Sequence, residues 1–213
     1  MTPRIKICGI TLADDAARAS ASGADFIGIN FWIKSKRHVP ASRAALLAAA
    51  AHAAGDAKVV GVFVDASAAT IAEIVHDVAL DVIQLHGDES PDDVVEIATL
   101  TKRPVWKAFP ATSPELADLE RYAVAAVLLD TPTPDRGGSG ATFDWTLART
   151  IRHRYPGRLL VLAGGLRPDN VAAAIAAAGS PWAIDVASGV ETAPGIKDAA
   201  KISQLVAAVR LVP

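Results

Sequence analysis

The stretch "LLVLAGG", residues 159–165, is apolar at successive positions and ends in two glycines. A strand whose neighbouring side chains are all apolar is covered on both faces, as in a parallel sheet with helices on each side. Similar apolar runs recur roughly once every 25 residues, and alanine-rich segments with helical spacing separate them. The pattern predicts a repeated strand–helix unit.

Eight segments of the chain fit this strand pattern. They are residues 4–9, 25–32, 59–65, 81–87, 104–110, 126–131, 159–165 and 183–189. Alternating strands and helices form either an open doubly wound sheet or a closed barrel. Eight units in 213 residues favour the barrel. We therefore predict the α/β class, with one (β/α)8 TIM barrel of parallel strands and outer helices over residues 1–213.

Helix starts are marked by Ser, Thr or Pro, and helix ends are marked by glycine. Ser, Thr or Pro precedes four helical segments, at Thr11, Ser67, Ser90 with Pro91, and Pro168. Gly23 and Gly179 follow two of them, where a left-handed residue is common. A last helix is predicted over residues 198–210.

Composition narrows the possible partners. The formal net charge is −2, and the longest basic patch is the short one at residues 34–38. This balance gives no sign of nucleic-acid binding, and no leader or membrane-length apolar stretch is present. The single cysteine excludes an internal disulfide and makes a structural zinc site improbable. We expect a cytoplasmic protein with a small-molecule partner.

Polar residues interrupt the apolar strands near their carboxyl ends. Cys8, His86 and Asp130 close the first, fourth and sixth strands, and Asp185 interrupts the eighth. Side chains alternate along a strand, so Cys8 shares a face with Lys6 and should point into the barrel mouth. The carboxyl ends of barrel strands carry the active site.

Each of these residues also has a structural interpretation. Cys8 could be a small buried apolar residue, and Asp130 could cap the turn at Thr131. His86 could be a structural histidine or a wall of the pocket. We expect Gln84 and Lys107 to form a polar layer inside the barrel. An ionised Asp185 in an apolar strand needs a partner or a ligand.

Three glycine-bearing stretches follow the last strands. They are "RGGSG" at residues 136–140, "AGG" at 163–165 and "ASG" at 187–189. Glycine lets backbone amides approach an anion, and the loops after strands seven and eight are the common phosphate site of such barrels. Arg37 could hold a second anionic group or could be a solvated loop charge.

Together the motifs resemble the phosphoribosylanthranilate isomerase family of tryptophan biosynthesis. The resemblance covers essentially the whole chain and keeps the family's order and spacing. The motifs are "KICGIT", "GADFIG", "SKR", "QLHGDE", "LLDT", "GGSG" with "TFDW", "LAGGLRPDNV", and "DVASGVE" with "PGIKD". The resemblance implies that no metal or other cofactor is needed, and we expect this chain to be a monomer or a homodimer.

The resemblance implies an Amadori rearrangement. The substrate would be N-(5-phosphoribosyl)anthranilate and the product 1-(2-carboxyphenylamino)-1-deoxy-D-ribulose 5-phosphate. Carried over by motif, Cys8 is the general base and Asp130 the general acid. Arg37 would hold the anthranilate carboxylate, Asp185 would border the ribose hydroxyls, and His86 would line the substrate pocket. The phosphate would be held by Gly140, Gly164, Gly165, Ser188 and Gly189.

Two questions follow from this resemblance. A thiolate base needs a lowered pKa at Cys8, for which Lys6 on the same face or a helix N-terminus is the expected cause. Three residues depart from those usual in the family: Asn30, Trp32 and Ala187. The resemblance therefore does not determine the shape of the aromatic pocket. The competing hypotheses are another phosphosugar barrel enzyme and a non-catalytic phosphate-binding barrel. The pairing of Cys8 with Asp130 argues against both.

Overall fold

The protein folds as a closed parallel barrel. The computed structural model describes residues 2–132 and 141–212. Eight strands pair in chain order, and the eighth pairs with the first. The strands are β1 (Arg4–Ile7), β2 (Phe26–Asn30), β3 (Lys58–Phe63), β4 (Val82–Leu85), β5 (Val105–Pro110), β6 (Ala126–Asp130), β7 (Leu160–Leu162) and β8 (Ala183–Val186). The predicted barrel is confirmed.

Helices surround the barrel. They are α1 (Ala13–Ala21), α2 (Ala41–Ala54), α3 (Ala68–Val78), α4 (Pro91–Thr101), α5 (Thr146–Arg154), α6 (Val171–Ala178) and α7 (Ala199–Arg210). The connection from β5 to β6 is different, because it holds a 3₁₀ helix at Pro114–Arg121. An antiparallel hairpin, β9 (Glu191–Ala193) and β10 (Ile196–Lys197), follows β8 and is separate from the barrel sheet. Within the described residues, no helix has the length and apolar character needed to cross a membrane.

The strands end earlier than the sequence predicted. β1 stops at Ile7 and β7 at Leu162. Gly9 and Gly164 then adopt φ values of 72° and 84°, in a left-handed region that favours glycine and ends the extended backbone. The Cys8 amide still donates to the Val186 carbonyl at 2.8 Å, so Cys8 remains fixed to the barrel rim.

Three of the predicted helix starts are confirmed. The Ser67 side chain accepts the Thr70 amide, and Ser90 forms a capping box with Asp93. Asp198 caps α7 by accepting two backbone amides. Gly179 follows α6 in the predicted left-handed conformation, with φ of 73°.

Thr11 and Pro168 lie just before their predicted helices but do not begin them. α1 begins at Ala13, and the Thr11 hydroxyl instead donates to the Gly195 carbonyl at 2.6 Å. The helix predicted over Val171–Ala178 is confirmed as α6, and Pro168 lies in the turn before it, in which Asn170 Oδ1 accepts the Arg167 amide. A long-range hydrogen bond at Thr11 and a local one at Asn170 take the place of the expected caps.

The prediction for Lys107 is also wrong. Trp106 and Ala108 belong to the cluster inside the barrel, so alternation turns Lys107 toward the surrounding helices and loops. There its ammonium lies 3.2 Å from Glu89 and donates to the Gly87 carbonyl at 2.7 Å. Lys107 thus anchors the loop after β4. Gln84 is buried as expected, and its amide nitrogen lies 3.1 Å from His86 Nδ1.

Candidate active site

Cys8 lies above a buried ion pair on the first and eighth strands. Lys6 and Asp185 are paired in the register of β1 and β8, and Lys6 Nζ lies 2.9 Å from Asp185 Oδ1. The Lys6 side chain is fully buried, and the Asp185 side chain is 9 % exposed. Asp185 therefore has the partner that its place in an apolar strand required.

A glycine in the neighbouring strand makes room for this group. A Cβ atom added to Gly28 of β2 would lie 2.9 Å from Cys8 Sγ and 3.1 Å from Lys6 Nζ. Both distances are shorter than ordinary van der Waals contacts. Any larger residue at Gly28 would therefore displace the thiol or the ammonium, and Cys8 does point into the barrel mouth as predicted.

The pKa of Cys8 is shifted in the direction opposite to our prediction. Burial raises the pKa of the thiol above its ordinary value, and the ammonium of Lys6 opposes this only in part. The negative charge of Asp185 also acts to raise the Cys8 pKa. At neutral pH the free protein therefore carries a neutral thiol.

Lys6→Met should destabilise the fold strongly. The substitution leaves the Asp185 carboxylate with no cation in the barrel interior, and such a loss costs about 3 to 5 kcal/mol. Denaturant unfolding measures the effect, with Lys58→Met as the control because Lys58 is exposed at the other end of the barrel. Equal free energies of unfolding for the two variants would contradict the structural importance of the pair.

Asp130 and His86 meet at the mouth of the barrel. Asp130 ends β6, and its Oδ2 atom lies 3.5 Å from His86 Nε2. Its other oxygen accepts the Thr131 amide at 2.7 Å, so Asp130 also caps the turn. Gln84 Nε2 lies 3.1 Å from His86 Nδ1, so Gln84 and Asp130 contact opposite ring nitrogens of the imidazole. The capping interpretation and the site interpretation of Asp130 are both compatible with this geometry.

Backbone amides line the mouth between β7 and β8. Within residues 2–132 and 141–212, the amides of four predicted phosphate-binding residues donate to no protein acceptor. They are Gly164, Gly165, Ser188 and Gly189. The two loops pack closely, since a Cβ added to Gly189 would lie 1.9 Å from the Leu166 carbonyl oxygen. Gly140, the fifth predicted contact, lies outside the described residues.

Arg37 is not a solvated loop charge. Its Nε and Nη2 atoms donate to the two oxygens of Glu191 at 2.8 and 2.7 Å, and its side chain is 12 % exposed. This hydrogen bonding raises the pKa of Arg37. Our sequence analysis gave Glu191 no role, although it belongs to the quoted "DVASGVE" motif.

Two of the unusual residues have local explanations. Asn30 Oδ1 accepts the Trp32 amide at 2.9 Å, which turns the chain at the end of β2. The carbonyl of Ala187 accepts a hydrogen bond from Lys197 Nζ at 3.1 Å, which any residue at that position could do. Nothing in the structure explains Trp32.

Metal ligands are not grouped in the described part of the chain. In residues 2–132 and 141–212, no group of three or more His, Cys, Asp or Glu side chains has the arrangement needed to hold a metal ion. The expectation that no cofactor is needed stays a prediction.

The fold and the polar mouth define the class as (β/α)8-barrel enzymes, whose active sites lie at the carboxyl ends of the strands. Residues 5–208 match the family model for N-(5'phosphoribosyl)anthranilate (PRA) isomerase. The chain belongs to this family.

Individual relatives agree with this membership. An N-(5'-phosphoribosyl)anthranilate isomerase from Bordetella parapertussis is 43 % identical, and the match covers 100 % of this chain and 98 % of the relative. The crystal structure of phosphoribosyl anthranilate isomerase from Thermotoga maritima superposes with a TM-score of 0.86 at 38 % identity, covering 98 % of each chain. A further isomerase structure, 36 % identical with a TM-score of 0.81 and 98 % coverage of each chain, holds reduced 1-(o-carboxyphenylamino)-1-deoxyribulose 5-phosphate.

Proposed function

We propose that this chain catalyses the Amadori rearrangement of N-(5-phosphoribosyl)anthranilate in tryptophan biosynthesis, with Cys8 as general base and Asp130 as general acid. The supporting observation is the order of the strands. Around the barrel, β6 with Asp130 is followed by β7 and β8 with their free amides, and then by β1 with Cys8. A ligand whose phosphate occupies the amide loops would have the acid on one side and the base on the other.

The first chemical step is the opening of the ribose ring. Asp130 donates a proton to the ring oxygen, the bond from C1 to that oxygen breaks, and the nitrogen lone pair forms a C1–N double bond. Acid catalysis of this type needs the donor within hydrogen-bond reach of the leaving oxygen. His86, whose Nε2 atom lies 3.5 Å from Asp130 Oδ2, keeps the carboxyl group in the mouth while the proton leaves.

The second step is removal of the C2 proton by the thiolate of Cys8, which forms when the partly exposed thiol releases its own proton to solvent. The adjacent iminium ion acidifies this proton, and its electrons form the C1–C2 double bond of an enolamine while the C1–N double bond becomes single. The positive iminium also lowers the pKa of a nearby thiol, which opposes the effect of burial when the base is needed. The enolamine then tautomerises to the ketone.

The two ends of the substrate have separate binding groups. The amides of Gly164, Gly165, Ser188 and Gly189 hold the phosphate, because unpaired amides in a concave loop attract an anion. Arg37 holds the anthranilate carboxylate and Asp185 borders the ribose hydroxyls. We also place Gly140 at the phosphate, and we propose a cytoplasmic monomer or homodimer whose partner is this small molecule alone.

Turnover of the substrate tests this function. The labile aminoaldose is generated in solution, and the loss of its fluorescence is followed after addition of the protein. We expect rapid loss with the wild-type chain. No turnover would contradict the proposed reaction, and turnover of a different phosphosugar instead would support the competing barrel enzymes.

Gly189→Ala should weaken phosphate binding. The new methyl group would meet the Leu166 carbonyl, so the loops must move apart and their amides lose the shared anion. Hydrogen bonds to charged groups contribute about 1.5 to 3 kcal/mol, so we expect the inhibition constant of inorganic phosphate to rise about tenfold or more. Gly157→Ala is the matched control, because a Cβ there has no atom within 4 Å. Equal inhibition constants in both variants would place the phosphate elsewhere.

A further inference from the structure

The hairpin β9–β10 is an addition to the barrel, and it buries two charged residues. Glu191 and Lys197 are paired across the hairpin, and they are 8 % and 5 % exposed. Lys197 Nζ lies 2.7 Å from Glu191 Oε1. The burial of both charges needs an explanation beyond the pairing of two short strands, because burying an ion pair is costly.

The two residues connect the hairpin to the catalytic rim. Lys197 Nζ also donates to the Cys8 carbonyl at 2.6 Å and to the Ala187 carbonyl at 3.1 Å, which fixes the hairpin to the ends of β1 and β8. Glu191 accepts both hydrogen bonds from Arg37, and its Oε1 atom also accepts the Gly195 amide at 3.2 Å. Lys197 and the Gly195 amide of the hairpin therefore fix the carboxylate of Glu191, and this carboxylate fixes the guanidinium group of Arg37.

The packing around Arg37 fits one fixed position of its side chain. A Cβ added to Gly9 would lie 2.3 Å from Arg37 Cδ, so the glycine that follows Cys8 provides the space for the arginine. Glu191 takes the Nε and Nη2 side of the guanidinium group. The Nη1 atom of Arg37 has no protein partner among residues 2–132 and 141–212. The Nη1–Nη2 edge therefore keeps the geometry for a second carboxylate.

The charges of the cluster favour an anionic ligand. Two cations, Arg37 and Lys197, contact the carboxylate of Glu191, and the free edge of the Arg37 guanidinium group faces away from that carboxylate. Burial raises the pKa of Glu191, but the hydrogen bonds from Arg37 and the charge of Lys197 outweigh it and hold the pKa below its ordinary value. Burial lowers the pKa of Lys197.

We infer that Glu191, fixed by Lys197, is a positioning residue that presents the free edge of Arg37 to the substrate carboxylate and so determines specificity for the carboxylated ring. This inference rests on the proposed function, because it assumes that Arg37 receives the anthranilate carboxylate. Glu191 acts through Arg37 and contacts no reacting atom.

Removal of the Glu191 charge should release Arg37 without adding positive charge. In Glu191→Gln the buried Lys197 loses its counter-ion and tends to lose its proton, so the cluster keeps one positive charge. The Arg37 side chain then adopts several conformations in place of one. A ligand that binds Arg37 must order the side chain again, and this loss of conformational entropy weakens binding. The effect should fall on the carboxylate contact alone.

The experiment compares two ligands on the whole chain. One is reduced 1-(o-carboxyphenylamino)-1-deoxyribulose 5-phosphate, and the other is its analogue without the carboxyl group. For Glu191→Gln we expect binding of the carboxylated ligand to weaken about ten- to hundredfold, and binding of the analogue to change little. KM for the substrate should rise similarly, with kcat nearly unchanged. Asp25→Asn is the control, because Asp25 accepts a backbone amide at the opposite end of the barrel.

Further variants separate positioning from folding. In an Arg37→Ala background, Glu191→Gln should have no further effect on the ratio of the two affinities. Glu191→Asp keeps the charge and shortens the side chain, so affinity for the carboxylated ligand should fall less than in Glu191→Gln. This variant takes the place of Glu191→Gln if the latter does not fold. Equal weakening of both ligands, or unchanged or tighter binding of the carboxylated one, would overturn the inference. If wild type binds neither ligand and shows no turnover, the proposed function itself fails.

Discussion

Replacing Cys8 by alanine is expected to lower kcat by about two to four orders of magnitude, the usual contribution of a positioned general base. Alanine removes the thiol that takes the C2 proton and leaves no other base on that strand, since the adjacent side chain inside the barrel is the cationic Lys6. KM should change little, because the proposed phosphate and carboxylate contacts lie on other residues. Steady-state kinetics with the substrate generated in solution measure both constants.

A kinetic isotope effect identifies the step that fails in Cys8→Ala. Substrate deuterated at C2 should react more slowly than unlabelled substrate, because proton removal limits the rate in this variant. Retention of phosphate inhibition shows that the fold is intact. Wild-type kcat in Cys8→Ala would remove the thiol from the mechanism.

Alkylation reports the protonation state of the same thiol. Since burial raises the pKa of Cys8, the thiolate fraction at neutral pH is lower than for a free cysteine. Iodoacetamide should therefore react slowly at neutral pH and faster as the pH rises toward the elevated pKa. If Cys8 were alkylated fully at a pH lower than the one that free cysteine requires, the raised pKa of Cys8 would be contradicted.

Asp130→Asn should produce a loss of similar size, about two to four orders of magnitude in kcat. Asparagine keeps the shape of the side chain and can still accept the Thr131 amide, so the turn after β6 is preserved. An amide has no acidic proton for the ring oxygen, and ring opening becomes the slow step. The C2 isotope effect should therefore be smaller in Asp130→Asn than in Cys8→Ala.

The control for this variant is Asp81→Asn. Asp81 also accepts a backbone amide, from Val59 at 2.7 Å, but it lies at the amino-terminal end of the barrel. Its substitution should leave kcat unchanged. A large isotope effect in Asp130→Asn would show that ring opening does not depend on this carboxyl group.

The architecture was predictable because its signals are local. Apolar runs and capping residues, such as Ser90 with Asp93, act within a few residues of the chain, and the closed barrel follows from their repetition. Alternation along β1 placed Cys8 with Lys6 correctly. It failed at Lys107, because both faces of β5 are covered and the sequence pattern does not distinguish inside from outside.

The long-range side-chain contacts of the site were not predictable from these local signals. Arg37 and Glu191 are 154 residues apart, and no periodicity relates them. The conformation of Thr11 also depended on a long-range hydrogen bond, to the Gly195 carbonyl, that replaced the expected cap. Each of these outcomes arises from contacts that form only when the chain has closed.

The sequence by itself determined the barrel, its catalytic end and the residues presented there, because strand alternation and glycine placement are properties of neighbouring residues. Only the tertiary structure determined the pKa of Cys8 and the ion pairs formed at the catalytic end of the barrel. Closure of β8 onto β1 partly buries Cys8 and pairs Lys6 with Asp185, and the hairpin brings Glu191 to Arg37. Burial and charge pairing set the pKa of Cys8 and the orientation of Arg37, and both depend on distances that a linear pattern does not contain.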